Sequence, residues 1–390
     1  MSADRTPAPD LERYLLSPNG FADPEAPPAE AASRIVELVR EFNADVERIQ
    51  PSHSRAVRQS REYLVPAAEA AELPPRARLV LDRYAVADAL AIQYRDQTRG
   101  TFVRLLAGAF FAMLIFEGFA HWFVVIFEPG AWQRLLVWLN PLFWLAALAA
   151  WFQAHTLKYQ KKYHDYRALA EGLRVQFFWN LLGLPDPIEE FYLQKQQGEL
   201  EWIRCAIRWW RQRDEKTIPD SPASPEQLTA RTSLVRRRWV DAQFDYFAKT
   251  AGPREQQRSR RCKQWGAIFF WTSLALSGLI GACEVWIIIK PHAYHQSLHH
   301  VEEGLFLATG MVLVSAALVI AYGEKMAFAE HARHYAGTSI LFLKAKNESK
   351  DGTLTAQERE SFRTLGKAAL QENGDWLLLH RDRPLEVIVP

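Results

Sequence analysis

Four long apolar runs constrain this chain more than any other feature. They are Leu105 to Phe127, Leu135 to Phe152, Trp265 to Ile289 and Leu305 to Tyr322. A bilayer's hydrocarbon core is about 30 Å thick, and a helix needs about 20 mostly apolar residues to cross it. Buried soluble helices can also be apolar, but four of this length in one chain are not expected. Each run therefore reads as a transmembrane helix. Trp132, Trp138, Trp151, Trp265 and Trp286 lie near the run ends, where amphipathic indole rings favour the membrane interface.

Whole-chain averages conceal this segregation. The 390 residues carry a net charge of +2 and are 49% hydrophobic, and the mean hydropathy is -0.19. Charges fill the stretches between the runs, and the near-neutral balance gives no general polyanion signal. Cys205, Cys262 and Cys283 have neither CxxC nor metal-ligand spacing, which suits a reducing cytoplasm rather than a disulfide scaffold. No apolar h-region follows MSADRTPAPD, so insertion is expected to rely on the internal helices.

Loop lengths pair the runs into two hairpins. EPGAWQR joins the first pair, with Pro129-Gly130 as its turn, and Lys290 to Gly304 joins the second. Basic residues gather at the opposite ends. Arg95, Arg99 and Arg104 precede the first run, and Lys158, Lys161, Lys162 and Arg167 follow the second. Arg254, Arg258, Arg260, Arg261 and Lys263 precede the third. The positive-inside rule then puts both termini and the middle of the chain in the cytoplasm.

The polar segments read as helices. Ile35, Leu38, Val39 and Phe42 set a helical spacing in Glu30 to Arg48, and Leu79 to Arg95 is expected to run into the first span. Asp186 to Arg213 and Glu226 to Lys249 also carry helical patterns. Between them, TIPDSPASPEQ holds three prolines and forbids a continuous helix. The Pro- and Ala-rich stretch before Glu30 is expected to be flexible. The resulting segments are 1–78, an N-terminal cytoplasmic region; 79–215, a two-span unit with cytoplasmic helices; 216–225, a Pro-rich linker; and 226–390, a second two-span unit. The fold class is an all-α membrane protein, with four transmembrane helices as two hairpins and a cytoplasmic helical bundle.

The two halves repeat one order of features. Each has a basic helix, a span opening on Gly-Ala (Gly108-Ala109; Gly266-Ala267), a turn and a second span. A polar helix with Tyr163-His164 or His334-Tyr335 comes next, and then an acidic-Trp pair, Glu201-Trp202 or Asp375-Trp376. This order reads as duplication of a two-span unit, with Trp202 and Trp376 as equivalent packing anchors.

The segments KYHDYRALAEGLRVQFFWNLLGL, QKQQGELEWIRCAIR, YGEKMAFAEHARHY and LGKAALQENGDWLLLHRDRPLEV resemble the SLATT family. The resemblance covers roughly Leu79 to the C-terminus. It implies a bacterial inner-membrane protein, multi-pass, acting as a pore-forming effector in antiviral or conflict responses. It also implies a nucleotide second messenger or a nucleotide-sensing partner protein as its trigger; four spans per chain are too few to enclose a wide aqueous pore, so the effector reading requires a homo-oligomer. A non-conducting membrane scaffold that docks a cytoplasmic partner is the alternative. A hundred residues before the first span hold no strand–glycine-loop–helix unit for sensing a nucleotide within the chain.

Individual residues leave alternatives open. Glu117 lies inside the first run with His121 one turn on, so the pair shares a helix face. Ionisable residues in spans face a bundle interior or an aqueous cavity, which makes both pore-lining candidates. The bland alternative is a hydrogen bond to a neighbouring helix. Glu284, near the outer end of its span, is a third pore candidate and can also snorkel outward. Gly278, Gly281, Ala275 and Ala282 form a small-residue face suited to helix packing. His292, His295, His299 and His300 permit metal binding or pH sensing, but a solvated loop explains them. Arg236, Arg237 and Arg238 flank Trp239 and could bind a partner or an anionic ligand; a solvated helix face is the alternative. No Walker, GxSxG, HExxH or Gly-rich phosphate loop is present, so no enzyme, cofactor or metal site is expected. The basic run beside the third span needs only anionic lipid, not a nucleic acid duplex.

Overall fold

The computed structural model describes residues 11, 13–17, 29–123, 138–194, 200–218, 223–290, 296–349 and 354–381. These residues are mostly helical, with no strand among them. In chain order the helices are α1 (Ala29–Ile49), α2 (Arg55–Leu64), α3 (Ala67–Ala70), α4 (Pro75–Gly118), α5 (Leu139–Thr156), α6 (Tyr159–Leu181), α7 (Glu201–Thr217), α8 (Pro225–Val235), α9 (Ala242–Asp245), α10 (Gly252–Ile289), α11 (Gln296–Lys325), α12 (Phe328–Glu348) and α13 (Ala356–Arg381). Wide π turns at Phe119–Phe123, Arg236–Asp241 and Tyr246–Ala251 continue α4 and join α8 to α10.

Among the described residues, three helices are long and apolar enough to cross a membrane: Pro75–His121, Pro225–Ile289 and His299–Glu348. The second expected span corresponds to α5, whose described 18 residues include Asn140, Gln153 and His155. Leu135 to Val137, and the end of the first run beyond Phe123, lie outside the described residues.

The residues form two compact units. One takes its described residues from 1–97, 158–248 and 336–386, the other from 98–157 and 249–335. Each collects chain from both halves of the sequence.

The first unit is a helical bundle around α6. From His164 onward nearly every α6 side chain is buried, so this helix has no solvent face of its own. Its neighbours approach closely because two glycines leave room. A Cβ on Gly172 would meet Ile207 Cδ1 at 2.8 Å and Tyr192 at 3.1 Å, and Gly366 of α13 lies against the Trp179 indole. The stretch from α8 through α9 and into the turn after it buries Val235, Trp239, Gln243 and Phe247, a strict step of four. An α-helix of 3.6 residues per turn would rotate such a row off its face. The π turns widen the winding and keep it aligned.

Charged side chains inside this unit are paired, as burial demands. Arg83 donates to both Asp214 oxygens at 2.6 and 2.8 Å. Arg236 donates to both Glu358 oxygens at 2.7 and 2.6 Å. Asp45 accepts from Lys162 at 2.7 Å and from the Tyr166 hydroxyl at 2.6 Å.

The structure corrects several sequence expectations. The segment before Glu30 is not uniformly loose: Tyr14 and Leu16 are buried, and Leu16 exchanges two hydrogen bonds with the Asn43 amide of α1. Asp186 to Arg213 is not one helix. A 3-10 turn, Ile188–Glu190, is followed by Leu193 with φ 55°, and α7 begins only at Glu201. Trp202 and Trp376 are not equivalent. Trp202 is fully buried against Phe42 and Tyr166, whereas Trp376 is half-buried and stacks on His380 at 4.2 Å.

The second unit contains the apolar helices. α10 and α11 pack antiparallel. Gly266 lies against Ile320, Gly323 against Cys262, and the Ser273 hydroxyl donates to the Thr309 carbonyl at 3.2 Å. α4 and α5 are likewise antiparallel. Gly108 lies against Ala147, and the Asn140 amide donates to the Ala112 carbonyl at 2.6 Å. Thus Gly108 and Gly266, the glycines of the repeated Gly-Ala openings, play the same part. Each lets the first long helix of its half approach the second.

Both second helices also end alike. Lys158 (φ 52°) and Ala327 (φ 50°) are left-handed residues placed directly before α6 and α12. Gly278 and Gly281, expected at a helix contact, would meet nothing within 4 Å if given a Cβ. The small-residue row is therefore on the outside of α10 among exposed Trp271 and Leu274.

Candidate functional site

The ionisable residues of the apolar unit meet where α4 passes α11. The helices run antiparallel, with Phe102 stacked on Tyr322 at one end and Glu117 and His121 beside α11 at the other. His121 Nδ1 lies 2.7 Å from Glu303 Oε2, and its Nε2 lies 3.4 Å from Glu117 Oε2. One imidazole thus sits between two carboxylates, one on its own helix and one on the neighbour. All three side chains are partly buried.

Local packing sets the ring's position. The π turn Phe119–Phe123 contains His121, and such turns re-aim side chains within a helix. Phe306, one turn beyond Glu303, stacks on the imidazole at 5.7 Å between centroids and 13° between planes. Gly310 follows one turn later, and the Glu117 carboxyl carbon would be 3.5 Å from a Cβ placed there. The Glu117 carboxylate therefore lies in ordinary van der Waals range of α11 at this position.

A second carboxyl pair adjoins the first. Glu302 hydrogen-bonds Glu284 of α10, so the adjacent residues Glu302 and Glu303 reach different helices. His299 Nδ1 lies 4.0 Å from Glu303 Oε1.

The structure therefore brings Glu117 and His121 together and adds Glu303, a partner that no spacing along the sequence singles out. Glu284 belongs to the neighbouring pair rather than to this bridge. His292 and His295 lie outside the described residues. Among the described residues no group of three or more His, Cys, Asp or Glu has the arrangement of a metal site.

The three arginines beside Trp239 have separate fates. Arg236 is turned inward to Glu358 and to the Ser349 hydroxyl at 3.0 Å. Arg238 donates to Glu69 at 2.8 Å, and that bond holds the Glu69 carboxyl below its ordinary range. Arg237 is 59% exposed, 3.8 Å from the same carboxylate. Consecutive residues on a helical stretch point in different directions, about 100° apart at about 3.6 residues per turn, so the three arginines do not share a face. The row does not act as one patch.

Comparison with known proteins finds no matching family model, no similar curated protein and no similar solved structure.

Proposed function

We propose that this chain is a membrane effector of the bacterial inner membrane. It crosses the bilayer four times as two hairpins, with both termini and the helical bundle in the cytoplasm. It assembles as a homo-oligomer that conducts ions when a cytoplasmic signal arrives. The observation that carries this reading is the Glu117–His121–Glu303 bridge within an apolar helical unit. Ionisable groups at membrane depth are costly and are kept where they serve a pathway or switch. Four spans are too few to enclose a wide aqueous pore, so conduction requires several copies. The resemblance to SLATT proteins supports the effector role, and a nucleotide messenger or a nucleotide-sensing protein fits as its trigger.

One observation favours a second reading. Glu117 rests against Gly310 of its own chain, as a structural bond between helices would have it. In that case the protein is a non-conducting scaffold whose cytoplasmic helices dock a partner.

Conductance separates the two. Purified protein in planar bilayers, given extract from phage-challenged cells, passes current under the effector reading. Silence under all conditions, with protein properly inserted, selects the scaffold.

A further inference from the structure

We propose that His121 is a pH-sensitive latch between α4 and α11, closed when the imidazole is protonated. A protonated imidazole donates from both ring nitrogens, and here each nitrogen faces a carboxylate oxygen, at 2.7 Å for Glu303 and 3.4 Å for Glu117. Glu303 is held by α11 and Glu117 by α4, so the doubly bonded ring ties the two helices together. Loss of one proton leaves a single donor. The nitrogen that keeps it bonds one carboxylate, and the other presents a lone pair to the second. Two like charges then flank a neutral ring in a partly dehydrated setting, where their repulsion is poorly screened. The contact between the helices weakens.

Histidine is the side chain whose charge changes between about pH 5 and 8, so the latch works in a range that cells encounter. The sign is fixed by the partners. The closed state needs both ring protons to reach both carboxylates, so it belongs to the low-pH side and is lost as pH rises.

Among the other titratable groups, His299 of α11 stands 4.0 Å behind Glu303, and Glu302 turns away to Glu284 of α10. On α5 the titratable side chain is His155, at the far end of that helix. Phe306 holds the ring flat without competing for its protons. The latch is independent of whether the protein conducts, and requires only that α4 and α11 share one membrane unit.

The test uses the full chain in lipid nanodiscs, with its three native cysteines replaced by serine. Nitroxide labels are placed at Ala120→Cys, in the π turn that continues α4, and at Val301→Cys on α11, both solvent- or lipid-facing positions. The latch predicts strong dipolar broadening at about pH 5 and its loss at about pH 8. His121→Phe keeps the ring stack but removes the protons, and should lose the pH step. Glu303→Gln should lose it too, which guards against a folding failure of the first variant. Glu284→Gln should retain it. A broadening that does not change with pH in the parent protein overturns the latch. So does a pH step that survives in His121→Phe but disappears in Glu284→Gln, because the Glu284–Glu302 pair would then be the sensor.

Discussion

Gly366 lies directly against the indole of Trp179, leaving no room for a Cβ between α13 and α6. The contact joins a late helix of the chain to the central helix of the bundle. Trp179 is fully buried, so its ring cannot yield without disturbing the core around it. Gly366→Ala is expected to cost about 1–3 kcal/mol, the usual penalty for overpacking, outweighing any gain in helix propensity. Thermal unfolding of the purified protein checks this. A melting temperature at or above that of the parent would mean that the core adapts.

The two neighbouring arginines offer a contrast. Removing one member of a buried ion pair leaves an uncompensated charge, at about 3–5 kcal/mol. Arg236→Ala strands Glu358, which is 4% exposed, and should destabilise by that amount. Arg237→Ala removes an exposed side chain and should change stability by less than about 0.5 kcal/mol. Denaturant titration of both variants measures the difference. Equal effects would contradict the inward turn of Arg236.

Much of the fold is legible in the sequence. The apolar runs, the helix at Glu30 to Arg48 and the passage of Leu79 to Arg95 into the first long helix all follow from spacing along one element. What escapes depends on contacts between elements. Glu303 has no local signal as a partner of His121, because 182 residues separate them. Nor does periodicity separate Trp202 from Trp376, since burial depends on which helices arrive from elsewhere. The pattern from Asp186 to Arg213 misleads because a helical spacing of apolar residues also suits a 3-10 turn and a left-handed residue that fold back onto one core. Three consecutive arginines must point in different directions on a helix, but which of them meets Glu358 depends on a helix that arrives from elsewhere in the chain.

His164 makes stability depend on pH. Burial, with the nearby charges of His380 and Arg381, pushes its pKa down from 6.5 to about 3. The folded protein therefore keeps the ring neutral while the unfolded chain binds a proton below pH 6.5. The stability contribution is complete above that value and falls as pH drops toward 3. Between pH 6.5 and about pH 5 the loss should be about 2 kcal/mol. Denaturant midpoints across that range check it, and His164→Phe should flatten the dependence. An unchanged slope in that variant would assign the effect to other groups.

Membrane topology is the central claim, and cysteine labelling in intact cells tests it most directly. Lys290 ends α10 and Lys216 lies in the last turn of α7, and both are exposed. If α5 crosses the membrane, the chain has four spans, and Lys290 faces outward while Lys216 stays in the cytoplasm. If only the three longer helices cross, with the N-terminus still inside, both positions change sides. In a chain otherwise free of cysteine, an impermeant maleimide added outside should tag Lys290→Cys and leave Lys216→Cys unmodified until the cells are opened. Tagging of Lys216→Cys in intact cells, with Lys290→Cys protected, would contradict the four-span account.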